Sequence, residues 1–306
     1  MSFFSLVAML LLEHFRPLDQ RIQLYVYFAR YGNFLERHLN AGRYRYGVLA
    51  WALGILPPVL ALGIIYFFLY RINFLLAMLL NIAVLYVTMG CSQFTQSASK
   101  VAQAIRINDL AGARDIVGDW DGHAVTDFKA DVLARITLEK LLLCSHRQFF
   151  GVFFWFVILG PVGALLYRLA QILSQKWGAL DHHEYGRFGL FPDTAFNLLD
   201  WVPLRLTAAS FAVVGNFEDA IRCWQEQALH WTNKAHGVIL TSGAGALGVR
   251  LGQPIDVDGQ LKYRPDIGLG EEADPDYIES AVSLIWRSIA LWLGLLLLLT
   301  IVRWAA

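Results

Sequence analysis

Two residues in the run ADVLARITLEKLLL carry the clearest prospect of chemistry. Arg135 and Glu139 stand four positions apart, on one face of an expected helix. As an exposed pair they would stabilise that helix by about a few tenths of a kcal/mol. The functional reading of Glu139 is a carboxylate placed at the membrane surface beside a ligand site. Arg205 is a second candidate, inside the apolar run Trp201–Gly215 (WVPLRLTAASFAVVG). An arginine in such a run marks a site or is neutralised by a structural counter-ion, here Asp200. Gly243, Gly245 and Gly248 fit GxGxxG after the strand-like GVILTS. A dinucleotide fingerprint needs a helix to open there, and Gly252 and Pro254 stop one within about a turn. The expectation is therefore a glycine-rich loop that lets backbone approach a ligand or another helix. Asp181-His182-His183-Glu184 has metal-ligating residue types, but neighbours in sequence do not share a helix face and no spaced histidine follows. A solvated loop outside the membrane is expected. There is no GxxxxGK[ST], GxSxG or HExxH, and no metal ligands are assigned.

The elements that must position these groups are set by lipid. The chain has 306 residues, 57% apolar and only 16% charged, against roughly 45–50% and 25% in soluble domains. Its 25 basic and 25 acidic residues cancel, which excludes a basic nucleic-acid binder. Three cysteines without CxxC spacing exclude a disulfide scaffold. An all-α, polytopic integral membrane helical protein of about four to five spans is expected. Gly47–Tyr70 is 24 uncharged residues with Pro57-Pro58 at a kink, and Arg71 and Lys100 enclose 28 more. Either exceeds the length needed for a hydrocarbon core of about 30 Å, and the two should form a hairpin. Arg147 and Arg168 enclose a third run of 20, and the last span counts from about Ala281, with Arg287 near an interface or an inner cavity. The N-terminal apolar stretch, residues 5–12, is an interfacial anchor or a short tilted span. Trp201–Gly215 is expected as a broken or re-entrant helix.

Basic residues fix the orientation. Residues 14–46, 94–148 and 217–280 hold six, seven and five arginines and lysines, whereas 171–200 holds two. Placing the three basic regions in the cytoplasm requires 201–215 to cross and leaves Trp304-Ala305-Ala306 outside. The expected organisation is an interfacial or cytoplasmic segment 1–46, a transmembrane hairpin 47–93, and a cytoplasmic helical segment 94–148. Transmembrane spans with a short external loop follow over 149–216, then a cytoplasmic, glycine-rich, loop-dominated segment 217–280 and a C-terminal transmembrane helix 281–306. Asn108-Asp109 and Thr126-Asp127 are expected N-caps. The segments 94–148 and 217–280 are expected to build one pocket together.

From about residue 95 onward the chain resembles the CobD/CbiB membrane proteins of cobalamin biosynthesis, the adenosylcobinamide-phosphate synthases. The likeness rests on AIRINDLAGARDIVG, RITLE followed by FFWFVILGPVGALLYR, WVPLRLTA, AGALGVRLG and PDIGLGEEADPDYIESAVSLIWRSIALWL, in that order. The first third, with LEHFRPLDQRIQL, looks more like AmpE, a related inner-membrane protein linked to β-lactamase regulation.

The resemblance implies an inner-membrane, multi-pass protein that attaches an aminopropanol (phosphate) arm to adenosylcobyric acid. Amide formation is uphill in water, so ATP and Mg²⁺ are implied in a catalytically active member. It assigns Glu139 and Arg205 as catalytic, with Arg135, Arg168, Arg250, Gly243, Gly245 and Gly248 on phosphate or substrate. A corrinoid and the bilayer are the implied partners, nucleic acid is not, and a homo-oligomer is compatible. The chain departs from the family at several acid and amide positions. It has Leu143, Cys144 and Arg147 after Glu139, Gln171 and Ser174 after Arg168, Phe196 and Asn197 before Asp200, and Asn233-Lys234-Ala235 before the glycines. A non-catalytic, AmpE-like signalling or binding protein is the alternative. A transporter is a third, without two matching halves in the sequence.

Overall fold

The computed structural model describes residues 2–15, 21–121, 128–178, 186–257 and 260–305. Asp181–Glu184 and the expected cap Thr126-Asp127 lie outside them. The helices are, in order, α1 (Ser2–Phe15), α2 (Arg21–Leu39), α3 (Tyr44–Ile72), α4 (Phe74–Thr88), α5 (Cys91–Arg106), α6 (Leu110–Asp121) and α7 (Ala130–Ser145). A π-helical turn (His146–Phe150) leads into α8 (Gly151–Leu159), then α9 (Pro161–Trp177), α10 (Leu190–Val214), α11 (Phe217–Gln227) and α12 (Lys234–Leu247). Four short strands, β1 (Arg250–Gly252), β2 (Ile255–Val257), β3 (Gln260–Lys262) and β4 (Asp266–Gly268), precede α13 (Pro275–Ala305). The helical membrane class is as expected, and among the described residues three helices are long and apolar enough to cross a bilayer: Tyr44–Ile72, Ala130–Leu159 and Pro275–Val302.

The chain forms two compact units, Met1–Cys91 with Arg147–Pro203 and Ser92–His146 with Leu204–Ala306. In the first, α3 and α4 make the expected hairpin, turning at Asn73, whose side-chain oxygen accepts from the Leu75 amide at 2.8 Å. The second expected span is corrected. Its uncharged run divides at Gly90 into α4, 15 residues and so about 22 Å long, and the polar helix α5. Helix α1 is neither a lone anchor nor exposed all round: Leu6 and Met9 are buried, and it packs on α4.

The third expected span is also corrected, to a hairpin. Gly160, at φ +66°, ends α8, and Pro161 opens α9 at the first helical position, where its missing N–H costs nothing. The two helices then run back to back. A Cβ at Gly163 would strike the Trp155 carbonyl, and one at Gly151 would strike the Tyr167 ring. Tyr167 donates to Asp200 at 2.7 Å, both buried. The stretch 201–215 is neither broken nor re-entrant. It belongs to one continuous 25-residue helix, α10, with Pro203 inside it.

In the second unit Asp109 caps α6 as expected, accepting from the Gly112 amide at 2.9 Å. Arg287 caps the far end of α10 by donating to the Val214 carbonyl at 3.1 Å, a charge placed where a helix dipole favours it. Helix α13 is tied to α10 by Trp292 Nε1 donating to Ser210 Oγ at 2.6 Å. The expected loop-dominated segment 217–280 is largely helix and sheet. GVILTS lies in α12, and β1 pairs antiparallel with β4 (Leu251 opposite Ile267) while β2 pairs with β3.

Candidate functional site

Helix α7 buries both Arg135 and Glu139, one turn apart. They do not bond to each other as the local pair expected from their spacing. Glu139 is gripped by the segment that follows α12. Its Oε1 accepts from the Gly252 amide at 2.9 Å, and its Oε2 pairs with the Arg264 guanidinium. Gly252 can take this place because it sits at φ +79°, and a Cβ there would strike the Pro265 carbonyl. The β1–β4 ladder sets Gly252 opposite Asp266, so Arg264, two residues earlier, is delivered to the same carboxylate. Gln227, from α11, holds the other strand end. It accepts from the Gly268 amide at 2.6 Å and donates to the Gly268 carbonyl at 3.4 Å, as a neighbouring strand would. Arg264 also lies over the Trp231 ring, 5.1 Å from its centre.

Arg135 donates from Nη1 to the side chain of Gln253, a non-glycine residue at φ +63°. Its Nε is buried with no hydrogen-bond partner among the described residues. Beside it is a small cavity lined by Asp131, Arg135, Arg250, Gln253, Glu272 and Ala273. Its free volume is about 10 Å³, room for a single water. This small cavity draws on both segments, with Asp131 and Arg135 from 94–148 and Arg250, Gln253, Glu272 and Ala273 from 217–280; Glu139 does not line it.

Of the residues singled out in the sequence, Glu139, Arg135 and Arg250 come together here. Arg168 lies in the first unit, where it donates to Gln171 at 2.6 Å. Arg205 is half-buried on α10 and is not among the cavity's lining residues. The glycines lie in and at the end of helix α12 and not in a loop, and two of them give the close approach to other helices that was one of the two expectations. Gly243 makes room for Leu142, Gly245 for the backbone of Asp219 and Ala220, and Gly248 ends α12 in the left-handed conformation at φ +70°. The sequence reading missed Arg264, Gly252, Gln253, Gln227 and Trp231. Only Gly252 and the Arg264-Pro265 step carried a turn signal that hinted at the strand pairing.

The sequence has counterparts among known proteins. The model of the CobD/Cbib protein family matches residues 6–285. The chain belongs to the CobD/CbiB family. A relative from Stutzerimonas stutzeri, "Cobalamin biosynthesis protein CobD", is 34% identical over 96% of this chain and 97% of its own length. One from Chromobacterium violaceum with the same description is 34% identical over 80% and 73%. A Streptococcus sanguinis relative is 26% identical over 66% of each. No solved structure matches. The CobD/CbiB match begins at residue 6, so it includes the N-terminal third set nearer AmpE above.

Proposed function

We propose that this CobD/CbiB member is an inner-membrane protein of cobalamin biosynthesis. In this proposal it joins an aminopropanol (phosphate) arm to adenosylcobyric acid by ATP-dependent amide formation. The observation that carries the proposal is the Glu139 cluster, a buried carboxylate paired with Arg264, one turn from Arg135, which lines a small cavity together with Arg250. Joining an amine to an activated carboxylate needs oxyanion clamps and an acceptor for the proton the amine loses. Arg135 and Arg250 are the clamps, and Glu139 is the acceptor.

The donor set does not suit Mg²⁺ at Glu139. Both carboxylate oxygens are engaged, by Arg264 and by Gly252, and no group of three His, Cys, Asp or Glu side chains converges among the described residues. No step is therefore routed through a metal. The test is genetic. A strain lacking its cobinamide-phosphate synthase, given this gene, should regain cobalamin synthesis from cobyric acid, and Glu139→Gln should abolish the rescue. No rescue despite good membrane expression would overturn the proposal.

The engagement of both Glu139 oxygens, with Arg147 at an acidic position of the family, favours one alternative: a non-catalytic member that keeps the scaffold and binds a ligand. In that case Glu139→Gln leaves the phenotype intact.

A further inference from the structure

We propose that Arg264 is an exchangeable anion-binding residue, whose guanidinium passes from the Glu139 carboxylate to an oxyanion of the ligand, phosphoryl or carboxylate. This deepens the proposed function, since it takes the Glu139 cluster to be where the ligand binds.

Three observations support it. Among the described residues Arg264 is the cation paired with Glu139, and it arrives on the segment between two short strands and not on a packed helix. Its side chain keeps 12% exposure, and its neighbour Tyr263 is 82% exposed, so the guanidinium sits just beneath the surface. Arg135 is 7% exposed, and of its donors Nη1 meets only an amide oxygen while Nε meets no acceptor among the described residues. A buried guanidinium short of acceptors is matched by an oxyanion, which takes its N–H groups two at a time. The cavity beside Arg135 has room for a water and not for a phosphate. Entry of an oxyanion therefore requires something to give way. The side-chain contacts that can be exchanged there are the bonds of Arg264 to Glu139 and of Arg135 to Gln253, the latter made by a residue in a sparsely populated backbone conformation. When the ligand takes Arg264, Glu139 is released with the Gly252 amide still on it, and its freed oxygen can accept a proton. Arg264 and the ligand are thus rivals: Glu139 competes with the ligand for one guanidinium.

That rivalry can be read directly from anion binding. The full-length protein in detergent, with chelator present, is titrated with inorganic phosphate and in parallel with acetate. Glu139→Gln, which removes the rival charge but keeps an acceptor for the Gly252 amide, should bind phosphate at least severalfold more tightly than the natural chain. Arg264→Gln should bind it severalfold more weakly, with Arg264→Lys between. A matching response to acetate assigns any oxyanion, and a response to phosphate alone assigns a phosphoryl group; both support the exchange. Slow alkylation of buried Cys223 in each variant shows that it is folded. Binding by Glu139→Gln no tighter than by the natural chain, or no phosphate binding by any of them, overturns the exchange. Failed genetic rescue with the phosphate pattern intact would remove the ligase proposal alone, and rescue without the pattern would remove the exchange alone.

Discussion

Gly245→Ala should loosen α11 from α12, and the size of the effect follows from what the new methyl group meets. Within a helix, alanine is favoured over glycine by about 0.5–1 kcal/mol. At 245, however, the Cβ would lie 2.5 Å from the Asp219 carbonyl oxygen and 2.7 Å from the Ala220 Cα. These are backbone atoms of α11 and cannot rotate away, so the helices must part. Overpacking costs about 1–3 kcal/mol, and against immovable backbone the upper part of that range applies, which leaves a net loss of about 1–2 kcal/mol after the propensity gain. Gly243→Ala meets only the Leu142 methyl groups at 2.7 and 2.9 Å, which can turn aside, and its two effects nearly cancel.

Cys223 reports the difference. It is fully buried on α11, one turn beyond Ala220, and burial, with Asp219 and Glu226 adding to it, pushes its thiol up to about 11. The thiolate, the reactive form, therefore gains population in the closed state only as pH climbs toward that value, and at pH 8 it is about 0.1% of the thiol. Alkylation at pH 8 must pass through opening of the α11–α12 contact. With Cys91 and Cys144 replaced by alanine, N-ethylmaleimide should modify Gly245→Ala about 5–30 times faster than the parent. Gly243→Ala should stay within about twofold. Equal rates for Gly245→Ala and its parent, or a faster Gly243→Ala, would refute the packing role and return these glycines to a ligand-facing part.

Two further outcomes follow from buried polar contacts. Glu139→Leu leaves the Arg264 guanidinium, 12% exposed, without its carboxylate and should cost about 3–5 kcal/mol. Adding Arg264→Met should recover most of that, read as thermal unfolding in detergent, and an additive double variant would show that the two are not coupled. Tyr167→Phe strips Asp200 of a buried donor at 2.7 Å and should cost about 1–3 kcal/mol. An unchanged melting temperature would remove that bond from the forces holding the first unit.

Periodicity and charge-free length were enough to place α3 and α13, because a bilayer demands continuous apolar helices and the chain shows them openly. The cap at Asp109 was legible because its partner is three residues away. The hairpin at Gly160-Pro161 was not read as a break, since nothing in an all-apolar run says which way the chain turns after a glycine. GVILTS looked like a strand because β-branched residues favour both a sheet and a tightly packed helix, and only the approach of α11 decides between them. Glu139 and Arg135 were legible as a helical face. Their true partners, Arg264 and Gln253, lie more than a hundred residues onward, where spacing carries no information.

The distance along the chain between Glu139 and Arg264, 125 residues, also orders events on the ribosome. At about 5–20 residues per second, the acid emerges roughly 6–25 s before the cation that will neutralise it. Through that interval α7 holds a carboxylate it cannot bury at low cost, so the helix must wait at a wet surface. The late arrival of one arginine then licenses the nascent chain to close around its own acid.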